Sequence, residues 1–263
     1  MPRYKLTLEY AGTRYSGWQL QKNARTVQGE LERALGEAAR SGRVETYGSG
    51  RTDAGVHALR QVAHADLAVT LPPETLVARV NDALPADINV LAAERVSPRF
   101  HARHSAVARS YLYQIALRRT AFAKPFVWWV KGDLDLARVQ AAARGLAGFS
   151  DYRAFTDDDP DEKSTRVLVE GVAVERRDAL VLVRVVGSHF LWKMVRRMVG
   201  VLVEAGRGGL SASEVAALTR PGGPADAVLP ARLTAPASGL FLERVFYDGD
   251  PRDLPIEPAT ALF

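Results

Sequence analysis

The sequence predicts an α+β fold made of two split βαβ (ferredoxin-like) halves, whose antiparallel sheets join into one large sheet with a central cleft. Three observations carry that expectation. The order strand-helix-strand-strand-helix-strand fills the first hundred residues, the same order recurs beyond residue 105, and the apolar period switches between two and three-to-four as each element changes. The halves are expected at 1–104, which holds a Gly-rich loop, and at 105–263, which completes the cleft. Two unrelated α+β domains explain the same order nearly as well.

The elements follow in turn. Residues 4–10 alternate Leu6 and Leu8 with Lys5, Thr7 and Glu9, the signature of a half-buried strand. Thr26 stands where a helix cap belongs, and Val27, Leu31, Leu35 and Ala38 share one face behind it. Strands at 44–47 and 61–69 bracket the Gly-rich run, which therefore reads as a loop between paired strands. A helix at 74–84, stopped by Pro85, and a strand at 88–96 complete the first half. In the second half, strands are expected at 110–117, 166–174, 180–186 and 240–247, with helices at 134–146 and 190–205. A short helix at 213–218 follows Ser211 and Glu214, which are spaced as a capping box. The tail, 251–263, with three prolines, reads as an extended arm.

Composition narrows the chemistry. Apolar residues make up 47% and charged residues 25%, the balance of an ordinary globular protein. No apolar run reaches the roughly 18 residues of a membrane span and the start lacks a signal-peptide core, so a cytoplasmic protein with no membrane partner is expected. Cysteine is absent, which excludes disulfides, a thiolate nucleophile and a zinc site built on sulfur. Net charge is +5, and 29 of the 35 basic residues are arginine. The planar guanidinium suits phosphates and bases, so composition alone puts a nucleic-acid partner at even odds.

Several features have plainer readings. The glycines at 12–17 and 50–55 fit a phosphate loop only until Trp18-Gln19 and Val56-His57, where Lys-Ser/Thr is required. His57 and His64, seven apart, read as structural rather than as metal ligands. Asp157-Asp158-Asp159-Pro160-Asp161-Glu162 departs from a calcium loop and reads as a solvated loop. Lys193, Arg196, Arg197 and Glu204 read as the wet face of an amphipathic helix. Of Tyr111 and Tyr113, one is expected in the core and the other in water. Gly48-Ser49-Gly50-Arg51-Thr52-Asp53-Ala54-Gly55 differs in kind, because its glycines allow a sharp bend that exposes Arg51 and Asp53. From spacing alone, a capped tight turn remains the better reading.

Longer runs change that balance. They are Tyr10-Ala11-Gly12-Thr13 with Ser16-Gly17-Trp18-Gln19, then Gly50-Arg51-Thr52-Asp53-Ala54-Gly55-Val56-His57-Ala58, and Asn81-Asp82-Ala83-Leu84-Pro85. Beyond them come Phe100-His101-Ala102-Arg103, Arg109-Ser110-Tyr111-Leu112-Tyr113, Phe149-Ser150-Asp151-Tyr152-Arg153-Ala154-Phe155, Phe190-Leu191-Trp192-Lys193-Met194-Val195-Arg196 and Ala235-Pro236-Ala237-Ser238-Gly239-Leu240. In these runs, and in their order, the sequence resembles the bacterial tRNA pseudouridine synthase A family, which acts on uridines at tRNA positions 38, 39 and 40. Ala11 stands where that family usually has aspartate.

The resemblance implies an isomerase of the anticodon stem-loop, homodimeric, needing no cofactor and no metal. It makes Asp53 the catalytic nucleophile, sets Tyr111 against the target base, pairs Arg196 with the aspartate and assigns Arg51 to the loop that handles the flipped nucleotide. Arg103 and Arg109 are expected to contact phosphates along the cleft, and Leu240 is a further substrate-binding candidate. Two rivals remain at this point: a non-catalytic RNA-binding module, and an enzyme that binds a small phosphorylated molecule. The first gives no reason for a carboxylate beside a polyanion. The second predicts a compact pocket instead of a long basic cleft.

Overall fold

The computed structural model describes residues 1–159, 162, 164–220 and 228–262. Among them are ten strands, mostly antiparallel, and six α-helices, so the α+β class is as the periodicity predicts. Contacts divide the chain into two compact units, Met1–Val107 with Phe241–Arg252, and Ala108–Leu240 with Asp253–Phe263.

The first unit contains β1 (Arg3–Tyr10), α1 (Val27–Ala38), β2 (Thr46–Gly48), β3 (His57–Asp66), α2 (Pro73–Ala83) and β4 (Ile88–Val96). Its strands run in the order β4-β1-β3-β2, each antiparallel to its neighbour, which is the split βαβ pattern. Tyr4, Leu6 and Leu8 are wholly buried on one face of β1, and Leu31, Leu35, Leu76 and Val80 are wholly buried on the two helices. Each such side chain stabilises the fold by about 2 kcal/mol. The hydroxyl oxygen of Thr26 accepts the Gly29 N–H at 3.2 Å, the cap that its position predicts. Strand β3 begins at His57 instead of residue 61, because its first residues are already paired: Ala58 lies opposite Tyr10.

The second unit holds β5 (Ala108–Ala116), β6 (Trp128–Trp129), α3 (Leu136–Arg144), β7 (Gly148–Asp151), β8 (Arg166–Arg177), β9 (Leu180–Gly187), α4 (Met194–Gly206), α5 (Ala212–Ala217) and α6 (Val228–Arg232). Strands β5-β9-β8-β7 are antiparallel in that order, and β6 runs parallel beside β5. The last strand, β10 (Leu240–Phe246), places Phe241 and Leu242 in parallel register with His57 and Ala58 of β3. Ser211 and Glu214 form the expected capping box at the start of α5. The tail is extended and docked: Arg184 donates to the carbonyls of Leu254 and Pro255 at 2.7 and 2.8 Å, and Gln114 Oε1 accepts the Ala259 N–H at 2.7 Å.

Three expectations fail for identifiable reasons. Helix α4 starts at Met194, not at 190, because Lys193 is left-handed (φ 61°) and a helix cannot propagate through it. Both Tyr111 and Tyr113 are buried, at 9% and 0% exposure, since residues two apart on a strand share a face and β5 is buried along its whole length. Strands β6 and β7 have two and four residues, too few to show a period in sequence. No helix among the described residues is long and apolar enough to cross a membrane.

Candidate active site

Strand β2 passes into the Gly-rich loop, and β3 leaves it, so Asp53 lies on the bend between two paired strands. Arg51 is exposed and Asp53 half-buried. What fixes the bend is the segment after β1. A Cβ on Gly12 would stand 1.9 Å from the Val56 carbonyl oxygen, and one on Gly17 (φ 87°) would stand 2.5 Å from that of Thr52. These two glycines let one backbone lie directly on the other. Hydrogen bonds lock the contact: Trp18 N–H to Thr52 O at 3.0 Å, the hydroxyls of Tyr10 and Thr52 at 2.8 Å, and Gly12 N–H to His57 Nδ1 at 3.0 Å. On the other flank, Ser49 Oγ donates to Gln61 Oε1 at 2.7 Å, and Gln61 Nε2 donates to Gly50 O at 3.0 Å. The run from Tyr10 to Gln19 is thus the mould of the aspartate loop, a supporting role that no local signal in its residues discloses. His57 and His64, both nearly unexposed, use Nδ1 to accept backbone N–H groups of Gly12 and Ala102, the structural part predicted for them.

In the second unit, Tyr111 meets Phe190 edge-on at 5.0 Å. Arg196, half-buried on the first turn of α4, donates Nε to the Ala235 carbonyl at 2.7 Å, while its own carbonyl accepts the Ala235 N–H at 3.1 Å. The same 235–240 run holds Tyr113: the phenol donates to Pro236 O at 2.8 Å, and a Cβ on Gly239 would strike its ring at 2.5 Å. Burial drives the Tyr113 phenol far above its ordinary range, against a smaller opposing pull from Arg196. It therefore stays a neutral donor. Arg109 is nearly buried and donates to Ser188 O at 3.0 Å, Leu240 is buried, and Arg103 is exposed in the first unit.

The helix face read as wet is corrected at Arg197, which is 2% exposed and hydrogen-bonds Asp157. Lys193 Nζ reaches the same carboxylate at 2.9 Å, and Asp158 accepts the Trp192 N–H at 3.1 Å. Two acids therefore supply the α4 N-terminus with the negative charge that its own cap residue lacks. The hydrogen bond from Lys193, followed by that from Arg197, holds the Asp157 carboxyl below the usual range against partial desolvation. The acidic stretch is accordingly a structural clasp at Asp157 and Asp158; its Pro160 and Asp161 lie outside the described residues. Residues forty apart in sequence meet here, so no local pattern announces the pair.

Comparison with known proteins supplies the family. A profile of tRNA pseudouridine synthases matches residues 7–105 and 142–248. The chain is 40% identical over 253 residues to tRNA pseudouridine synthase A of Shouchella clausii, covering 95% of each protein. It is 42% identical over 252 residues to the enzyme of that name from Methylobacterium nodulans, covering 94% of this chain and 96% of the relative. For Nitrobacter hamburgensis the figures are 42% over 255 residues, 94% and 100%. The glycines that mould the aspartate loop and the run that holds Arg196 both fall inside the matched segments, and by this agreement over most of its length the chain belongs to the tRNA pseudouridine synthase family.

Proposed function

We propose that this isomerase converts uridine to pseudouridine at positions 38, 39 and 40 of the tRNA anticodon stem-loop, with Asp53 as the catalytic nucleophile. Family membership supports the reaction class. The observation that carries the assignment to Asp53 is a half-exposed carboxylate on a loop fixed from both flanks by glycine contacts and hydrogen bonds. Such a loop holds its side chain in place without reorganisation when substrate arrives.

The reaction breaks the bond from C1′ to N1 of uracil, turns the base and forms a bond from C1′ to C5; the C5 proton is lost and N1 gains one. The base must first leave its stack, at a cost of a few kcal/mol. In the proposal Arg51 fills the vacated space, Asp53 attacks, and Arg196 is the cation that pairs with it. Tyr111 lies on the uracil and Leu240 lines its pocket. Arg103 and Arg109 contribute to phosphate binding, the exposed Arg103 with the larger salt dependence. A homodimer acting in the cytoplasm, with domains 1–104 and 105–263 each contributing to the site, belongs to the same proposal; sedimentation of the free protein tests the dimer.

The test uses unmodified tRNA incubated with the wild type and with Asp53→Asn, followed by base-resolved mapping of pseudouridine. The expected result is conversion near position 39 by the wild type and none by the variant, with tRNA binding retained. Conversion by both removes Asp53 from the mechanism.

A further inference from the structure

Strand β2 carries an aromatic group that the loop's architecture does not use. Thr46 faces α1, where its N–H and carbonyl reach Glu32 and Gln28 at 3.0 and 2.8 Å. Tyr47, next along the strand, is on the opposite face and is 51% exposed. Across the sheet it lies in register with His64, and its ring stacks on that imidazole at 5.2 Å and 19°. His101 follows at 4.6 Å from His64, and His104 at 4.3 Å from His101, so four rings form one connected array.

The array is rigid. Arg3 donates to the carbonyls of Pro98 and Phe100 at 2.6 and 2.8 Å, Ala102 N–H reaches His64 at 3.1 Å, and the Tyr247 phenol donates to Ala102 O at 2.8 Å. Beyond Ala102 this clamped turn presents the exposed side chains of Arg103 and His104. Burial, then His104, Arg3 and Arg103, disfavours a charge on His101; Arg3 is itself paired with Asp66 at 2.7 Å, which leaves Arg103 and His104 as the exposed basic groups beyond Ala102. At the far end, Glu45 accepts from the Tyr47 phenol at 3.3 Å, which makes that edge unsuitable for a phosphate and leaves the Arg103 side for it.

We propose that Tyr47, backed by His64, is a stacking platform for one unpaired nucleotide of the tRNA, whose phosphate is held by Arg103 and His104. Strand β2 runs directly into the aspartate loop, with Tyr47 six residues before Asp53, and Gly48 packs against Trp18 between them. The platform and the loop therefore share one support. The inference rests on the reading of the chain as a tRNA-modifying enzyme, and it adds a residue outside the reacting centre that sets substrate affinity. Base–aromatic stacking of this kind tolerates any base, which suits an enzyme acting at adjacent positions.

The experiment measures tRNA affinity and steady-state conversion for the wild type, Tyr47→Ala and Tyr47→Phe, with thermal melts of all three. Tyr47→Ala is expected to raise Kd and KM for tRNA about 5- to 100-fold, the range seen when a stacked aromatic is removed, with kcat within about twofold. Tyr47→Phe keeps the ring and is expected to match the wild type. Arg103→Ala is expected to lower the slope of log Kd against log salt by about one. Unchanged Kd and KM in Tyr47→Ala, with the wild type active, overturn the platform alone. Equal losses in the Phe and Ala variants overturn stacking as its cause. A wild type that neither binds nor converts tRNA overturns the enzyme reading itself.

Discussion

The aspartate loop of the first unit and the first turn of α4 in the second are both held in place, but by different physics. Around Asp53 the restraint is steric and backbone-borne: Gly12 and Gly17 admit a neighbouring main chain at distances no side chain allows. Around Arg196 an electrostatic, side-chain-borne restraint is added to the hydrogen bonds with the Ala235 backbone, with Asp157 and Asp158 clasping residues 192–197. A steric mould does not respond to pH and fails abruptly when a methyl group is added. A charged clasp tolerates small changes of shape and yields to protonation.

The largest expected effect tests the mould. Gly12→Ala puts a carbon 1.9 Å from the Val56 carbonyl oxygen, so the backbone of the loop must move. Pseudouridine formation should fall by more than about 100-fold, as displacement of a catalytic group by about 1 Å produces, while tRNA binding changes little. Near-normal turnover would show that the close approach does not position Asp53.

Next in size is an acid limb in stability from the first unit. Burial, then the neighbouring His101 and Arg3, push His64 down to about 4 from 6.5. The unfolded chain therefore binds the extra proton between those values. Stability is complete above pH 6.5 and falls by up to about 3 kcal/mol as pH drops to 4. Urea titrations across that window should show the slope, and His64→Asn should remove it.

The clasp comes third. Asp157→Asn leaves Arg197 buried without its carboxylate. Because the Asp157 side chain is still 38% exposed, the cost should be about 2 kcal/mol, below the 3–5 typical of a fully enclosed pair. The carboxyl titrates lower in the folded state, so this stabilisation is present above the ordinary aspartate range and is lost as pH falls through the lowered value. Chemical denaturation at pH 7 and pH 3 should show a difference between variant and wild type at the first pH that shrinks at the second. Smallest is Ser211→Ala, which removes a cap distant in sequence from either region and should cost about 1 kcal/mol without altering turnover. A loss of activity there would blur the contrast between mould and clasp.

Much of the frame was legible because its signals are local. Thr26 and Ser211 cap helices by bonding N–H groups three residues on, and the alternation in β1 reports directly which side chains are buried. The Gly-rich loop was legible as a loop, and its family likeness gave Asp53 a role. Arg197 misled because a charge on an amphipathic helix ordinarily faces water, and what buries this one is a carboxylate in another segment. Tyr111 and Tyr113 depart from the expectation because residues two apart share a face of a strand that is buried along its whole length.

By itself the sequence determined the order of strands and helices, their caps, and the family likeness from which the part proposed for Asp53 comes. Tertiary structure alone decided that Gly12 and Gly17 mould that bend, that Asp157 holds the start of α4, and that Tyr47 shares a stack with His64. The division has a physical reason. Backbone hydrogen bonding and periodic burial act over a few residues and leave their mark in neighbouring letters, whereas close approach, ion pairing and ring stacking join residues that only the folded chain brings within reach.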